Sequence, residues 1–315
     1  MTLWDGQGLP PAAEARMERA RAGGPASSLL SIAGQAAIEG CGFSIVGEVM
    51  GCIVEHIGFQ GYGGCGYYYG GMGGGMGGLG GALGYRGGGA LGGGTVTSGS
   101  GVGLGGFAPY VEALYHGYDT AMVRMLTECR ELGGDGVVGV SLTAKHLGEG
   151  NREFLAYGTA VRAHSPTRPA NLFSTMLPGN DVAKLLHGGW APVSISIGIS
   201  LAIRHDDWAT LQQARTWGGN TEVSGYTQLV HQVRMDARHQ FERRTAAFGA
   251  EGAITDSMQL DIWEIEPGEN HRDHVALSSV MGTAITRFHT GADAPTSSLI
   301  VLPLSDPPGP PGRKP

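Results

Sequence analysis

Tyr110 to Val140 reads YVEALYHGYDTAMVRMLTECRELGGDGVVGV, and 116 residues later Tyr226 to Asp256 reads YTQLVHQVRMDARHQFERRTAAFGAEGAITD, superimposing without a gap. In each stretch a long helical pattern runs to Leu132 or Phe248. A glycine, a small residue, an acid and a second glycine follow, and a β-branched run begins. The downstream ends agree as well, Gly158, Thr159, Ala160, Val161 in one and Gly282, Thr283, Ala284, Ile285 in the other. A chain that repeats itself at this length is read first as a duplicated module.

Working outward, Pro109 suits the first position of a helix because its missing N–H would have no partner there. Leu114, Tyr118, Met122, Met125 and Cys129 then recur at helical spacing and predict one apolar stripe facing one sheet. Gly133 and Gly134 stop it in the left-handed cap that glycine favours. Gly136 to Leu142 predicts a buried strand, and Phe154 to Ala163 a second one after a turn at Gly148 to Asn151. The second copy repeats the plan with Leu229, Val233, Ala237 and Phe241 as its stripe, alternating Met258, Leu260 and Ile262, and a closing strand at Val275 to Thr286. The first copy opens with Ala36 to Ile38 and Gly42 to Val54, where Phe43, Ile45 and Val49 read as strand residues. The segment Asp206 to Trp217 predicts a short amphipathic helix in the second.

These readings divide the chain into an arm at 1–26, with a short helix over Ala12 to Ala22, a first module at 27–163, a linker at 164–172, a second module at 173–288, and a Pro-rich tail at 289–315 expected to be disordered. The first module carries an insert, Gly61 to Gly106, with 25 glycines in 46 residues and one charge, Arg86. Such glycine density forfeits too much chain entropy to order itself, so a disordered or loosely collapsed loop is expected. Its tyrosines, methionines and leucines make it stickier than a Gly/Ser linker.

At 315 residues two domains of ordinary size are expected. A net charge of −7 gives no general attraction to nucleic acid or anionic lipid. The four cysteines, Cys41, Cys52, Cys65 and Cys129, all fall in one copy and are expected to be reduced thiols. The first residues lack the apolar core of a signal peptide, and no run of 18 apolar residues suggests a membrane span. The expected place is the cytoplasm.

GQAAIEGCGFSIVGEVMG (Gly34 to Gly51), CRELGGDGVVGV (Cys129 to Val140) and AYGTAVRA (Ala156 to Ala163) resemble the YbjQ family, small bacterial proteins often labelled heavy-metal-binding domains. The second module departs from the family at Ile254, Thr255 and Asp256, and it retains a segment, His205 to Leu229, that the insert displaces in the first. The resemblance implies an α+β fold related to dodecin subunits: two tandem β/α modules, each a small antiparallel-rich sheet on one long helix. It further implies a homo-oligomeric ring, commonly a pentamer, formed by adding strands between neighbours. Closing a ring removes the sheet edges that a small module leaves.

The family label directs attention to metal ligands. Cys41, Cys52, His56 and Cys65 mix thiol and imidazole, but their spacing matches no common zinc arrangement, and buried free cysteine is ordinary core material. His271 and His274, in the sequence HRDH, are read as part of a solvated hairpin loop. His205, Asp206 and Asp207 are read as acids at a helix start, favoured by its dipole. Glu48, after Gly47, is read first as a surface carboxylate capping a turn; if a ring buries it, it must find donors, and five such acids around a lumen suit a cation. No nucleotide-binding glycine loop and no catalytic Ser/His/Asp or Cys/His set stands out. The expected function is a non-enzymatic, ring-forming scaffold without a cofactor. The alternatives are a divalent-metal or small-ligand binder with sites at subunit interfaces, and docking to a membrane or partner through the Gly-rich loop.

Overall fold

A computed structural model of the chain describes residue 4 and residues 8–22, 27–57, 95–98, 108–214, 220–268 and 271–288. In chain order its elements are α1 (Pro11–Arg21), α2 (Ile32–Gly40), β1 (Phe43–His56), β2 (Thr95–Thr97), α3 (Ala108–Glu131), β3 (Gly136–Gly148), β4 (Asn151–Ala163), β5 (Phe173–Ser174), α4 (Gly179–His187), β6 (Trp190–His205), α5 (Trp208–Ala214), α6 (Ser224–Ala247), β7 (Gly252–Gly268) and β8 (His271–Arg287). The fold is α+β, with two four-stranded sheets ordered β1-β4-β3-β5 and β2-β6-β8-β7. All pairings are antiparallel except β3 with β5.

The repeat seen in the sequence is repeated in the geometry. Gly51 in β1 lies opposite Ala156, and Gly198 in β6 lies opposite Val280. A Cβ on Gly51 would stand 2.1 Å from the carbonyl oxygen of Ala121, and one on Gly198 would stand 2.1 Å from that of Ala237. Ala121 and Ala237 hold the same place in the two quoted stretches, so each long helix presses its backbone onto its sheet at a glycine. The ladders shift register at Ile45/Gly47 and at Pro192/Ser194. The N–H of Leu29 donates to Thr159 Oγ1 at 3.0 Å, as that of Met176 does to Thr283 Oγ1 at 3.1 Å.

The units stack in four layers: first sheet, α3, second sheet, α6. One buried cluster runs from Val49 and Ala156 through Leu114, Met122 and Met125 of α3 to Ile195, Ile197, Ile199, Leu201 and Ile203 of β6. On its other face β6 meets α6, where Ser196 Oγ donates to the Phe241 carbonyl. The two halves also exchange strands. β5 adds to the edge of β3, and β2 adds to the edge of β6.

Three expectations are corrected. Ala36 to Ile38, read as opening strand, lies within the helix Ile32–Gly40: Ser31 accepts from the Gly34 N–H at 3.1 Å and caps a run of small residues that seats on α4. Thr95–Thr97, placed in the glycine insert, is a strand because its threonines and valine pair with Arg204, Ile203 and Ala202. The HRDH sequence is strand from its first residue, with Asp273 and His274 buried, because β7 and β8 continue pairing down to Gly268 and His271. Residues 61–94 and 99–106 of the glycine insert and the tail from 289 lie outside the described residues.

Candidate functional site

The junction between the two units is the most elaborated region of the molecule. Gly139, at a φ of 65°, bulges out of β3 and points its N–H at the Leu177 carbonyl (3.1 Å), while the Val140 N–H reaches the Thr175 carbonyl (2.9 Å). The corresponding strand of the second unit carries Thr255 and Asp256, both exposed, and Thr255 stays in its ladder opposite Gly282. The sequence departure at Ile254 to Asp256 therefore marks an edge that no strand extends among the described residues, and Gly139 the occupied one. α2 packs on α4, where Gly34 and Gly179 bring the backbones together. Tyr115 closes the junction at the edge of β6: its hydroxyl accepts from the Ile199 N–H at 2.7 Å and lies 3.4 Å from the Ile199 carbonyl. Arg244 stacks over the Tyr115 ring and pairs with Asp119 at 2.7 Å.

Between the units lies a cleft of about 880 Å³. Tyr110, Tyr118 and Trp263 supply aromatic walls, and Arg152, His146 and Asp261 supply charge. Burial pushes the Tyr118 phenol up to about 12, with Arg152 opposing and Asp261 adding. Burial likewise pushes the Cys129 thiol up to about 12, helped by Asp135.

A second polar feature sits at the far end of β6 and β8. His205 Nδ1 lies 2.7 Å from Asp273 Oδ1. His274 lies between Asp206 (3.0 Å at Nδ1) and Glu264 (3.1 Å at Nε2), under the ring of Tyr226. Because the strands are antiparallel, the pairs His205-Asp206 and Asp273-His274 cross-match. Tyr226 O–H donates to Asp206 Oδ2, Arg204 binds Asp207 and Gln228, and the buried Arg204 Nε has no partner among the described residues. Asp207 also accepts from the Thr210 N–H, which caps α5 as expected of an acid there. Sequence reasoning missed this cluster, since it needs the β6–β8 register to assemble. Its buried members, Arg204, Asp206, Asp273 and His274, tie α6 to the sheet through Tyr226 and Gln228.

The candidate metal ligands are dispersed. Glu48, Cys52 and His56 lie on one face of β1, but at four-residue steps they stand roughly 13 Å apart, far beyond the reach of a shared ion. Glu48 lies 3.4 Å from Ser27 Oγ, and His56 Nδ1 lies 3.2 Å from Asn151 Oδ1. Cys41 Sγ is 3.9 Å from His187 Nε2, across the α2–α4 contact. His274 is engaged by its two acids. His271 opens β8, but its side chain, like Cys65, lies outside the described residues. Among the described residues no three His, Cys, Asp or Glu side chains converge on a point that would hold a metal ion, and Cys41, Cys52 and Cys129 are free thiols.

Against known proteins, a family model, YbjQ_1, described as "Putative heavy-metal-binding", matches residues 98–164. A UPF0145 protein of Halorubrum lacusprofundi is 43% identical over 53 residues, covering 17% of this chain and 51% of that protein. UPF0145 protein TTHA1944 of Thermus thermophilus is 43% identical over 60 residues, covering 19% and 53%. No solved structure matches the chain. Encapsulin nanocompartment protein Rv1762c of Mycobacterium tuberculosis is 30% identical over 308 residues, which span 94% of this chain and 97% of that one. The chain belongs to the family of that mycobacterial protein, and its residues 98–164 carry a YbjQ-type domain.

Proposed function

We propose that the protein is a non-enzymatic, self-associating scaffold in which two YbjQ-like modules, at 27–163 and 173–288 and joined by a linker at 164–172, stack head to tail and continue that stacking into a homo-oligomeric ring, a pentamer or a multiple of five. The observation that carries this reading is the four-layer order, in which the helix of one unit seats on the sheet of the next. A heterologous contact of that kind leaves one sheet face and one helix face open at the ends of the chain, and repetition closes a ring or grows a filament. The full-length relative named for an encapsulin nanocompartment adds support for an assembly role. No helix of the described residues is long and apolar enough to cross a membrane. In this reading the protein works in the cytoplasm and needs no cofactor. Light scattering on the untagged chain tests it: a discrete homo-oligomer is expected, and a monomer at every concentration overturns it.

The cleft between the units favours a second reading, binding of a small amphipathic molecule at module boundaries, because it joins aromatic walls to charged groups in a volume typical of ligand sites. A divalent ion is the less supported half of that alternative. It requires Glu48, Cys41, Cys52, His56, His271 or His274 to be completed by a second copy. Metal analysis of protein purified without chelator decides it, and a stoichiometric ion lost in Glu48→Gln and Cys52→Ser supports it.

A further inference from the structure

The two ends of the stack differ in chemistry from the junction inside it. Leu114, Tyr118 and Met122, which α3 buries at the junction, stand in register with Val230, Arg234 and Arg238 of α6, and both arginines are exposed. The row Ile195, Ile197, Ile199, Leu201 and Ile203, which β6 buries beneath α3, stands in register with Glu48, Met50, Cys52, Val54 and His56 of β1. None of those five is fully buried, and Val54 is 55% exposed. The register places Glu153, opposite Val54, on the same open sheet face. The internal joint is therefore apolar, whereas each open end carries charge, acidic on the sheet and basic on the helix.

We infer that the outer face of the first sheet, through Glu48 and Glu153, receives the α6 face of a second copy, through Arg234 and Arg238, and that this joint, unlike the one within the chain, is made and broken by ionic strength. The inference rests on the self-association proposed above and names its surfaces. Two observations choose a second copy as the occupant. The chain already makes this helix-on-sheet contact once, and the charges at its two free ends are opposite. Lys145, opposite Glu153, and Glu242, one turn beyond Arg238, soften each patch without reversing its sign. An apolar surplus remains in Met50, Cys52 and Val54, which the incoming helix would cover. Long-range attraction between exposed charges fades as the Debye length falls from about 30 Å at 0.01 M salt to about 3 Å at 1 M. A charged joint therefore weakens over that range and an apolar one does not.

Sedimentation velocity on the full untagged chain across that salt range tests the joint, alongside Glu48→Arg, Arg238→Glu and the two combined in one chain. We expect the association constant to fall at least tenfold with salt and with each single change. The combined variant, which restores opposite charges, is expected to recover it. Far-ultraviolet circular dichroism should stay unchanged in all three, since the positions are exposed or half-buried. An oligomer indifferent to salt and to both single changes overturns this joint while leaving self-association standing. Loss of association without recovery in the combined variant also overturns it. A monomer under every condition overturns this inference together with the reading it rests on.

Discussion

Gly51 and Gly198 each permit a helix backbone to lie directly on a strand, and any side chain there meets main chain rather than a movable tip. Gly198→Ala must push α6 off β6 or shift the strand, and overpacking of this sort costs about 3 kcal/mol. Urea unfolding should show that loss for Gly198→Ala and a similar one for Gly51→Ala, while unchanged midpoints would contradict the close approach. Cys129 has no exposed surface, and its thiol donates to the Gly136 carbonyl. With its pKa raised from 9.0 to about 12, the folded state keeps the thiol neutral where the unfolded chain ionises it. Its contribution is complete below pH 9 and is lost as pH rises towards 12; Tyr118, raised from 10.0 to about 12, acts in the same direction. Stability should therefore decline through the alkaline range, and iodoacetamide at pH 9 should modify Cys129 only on unfolding. Prompt native-state alkylation of Cys129 would contradict its burial. Cys129 within the buried stripe and the acid at the start of α5 were legible in the sequence, whereas Cys41 and Cys52, read as core material, are only half-buried because Cys41 ends α2 and Cys52 faces the open side of β1. The pairing of His274 with Asp206 and Glu264 was not, because those residues are far apart along the chain until β6, β7 and β8 come into register.

At the scale of elements, the two long helices and the strands that follow them were readable because apolar spacing and terminal glycines state both the period and the stop. α2 was misread because a short run of Ile, Ala and Gly carries no period. Its helical state depends on the Ser31 cap and on the α4 surface beneath it. Ser31→Ala should lower stability by about 1 kcal/mol in thermal unfolding, the usual cost of losing such a cap, and no change would mean that packing alone holds α2. The edge of β6 depends on Tyr115, whose hydroxyl serves both backbone groups of Ile199. Tyr115→Phe leaves a partly buried N–H and carbonyl without that partner and should cost about 2 kcal/mol. Urea unfolding checks it, and an unchanged midpoint would remove the special role assigned to Tyr115.

Across the whole molecule, the buried cluster passes without a break from the first sheet to the second. Strand exchange through β2 and β5 ties the halves twice more. Calorimetry should accordingly show one cooperative transition for both units, and two separated transitions would sink the idea of a shared core. By itself the sequence determined that the chain is built twice, that each half is a helix on a sheet, and where the helices stop, since these depend on local periodicity and on glycine punctuation. Tertiary structure alone decided which strand edges are occupied and that, among the described residues, α3 is covered on both faces while α6 is covered on one and the two uncovered ends carry opposite charge. Those properties arise from pairings between residues far apart in the chain, and a one-dimensional pattern does not record which of its apolar faces will meet.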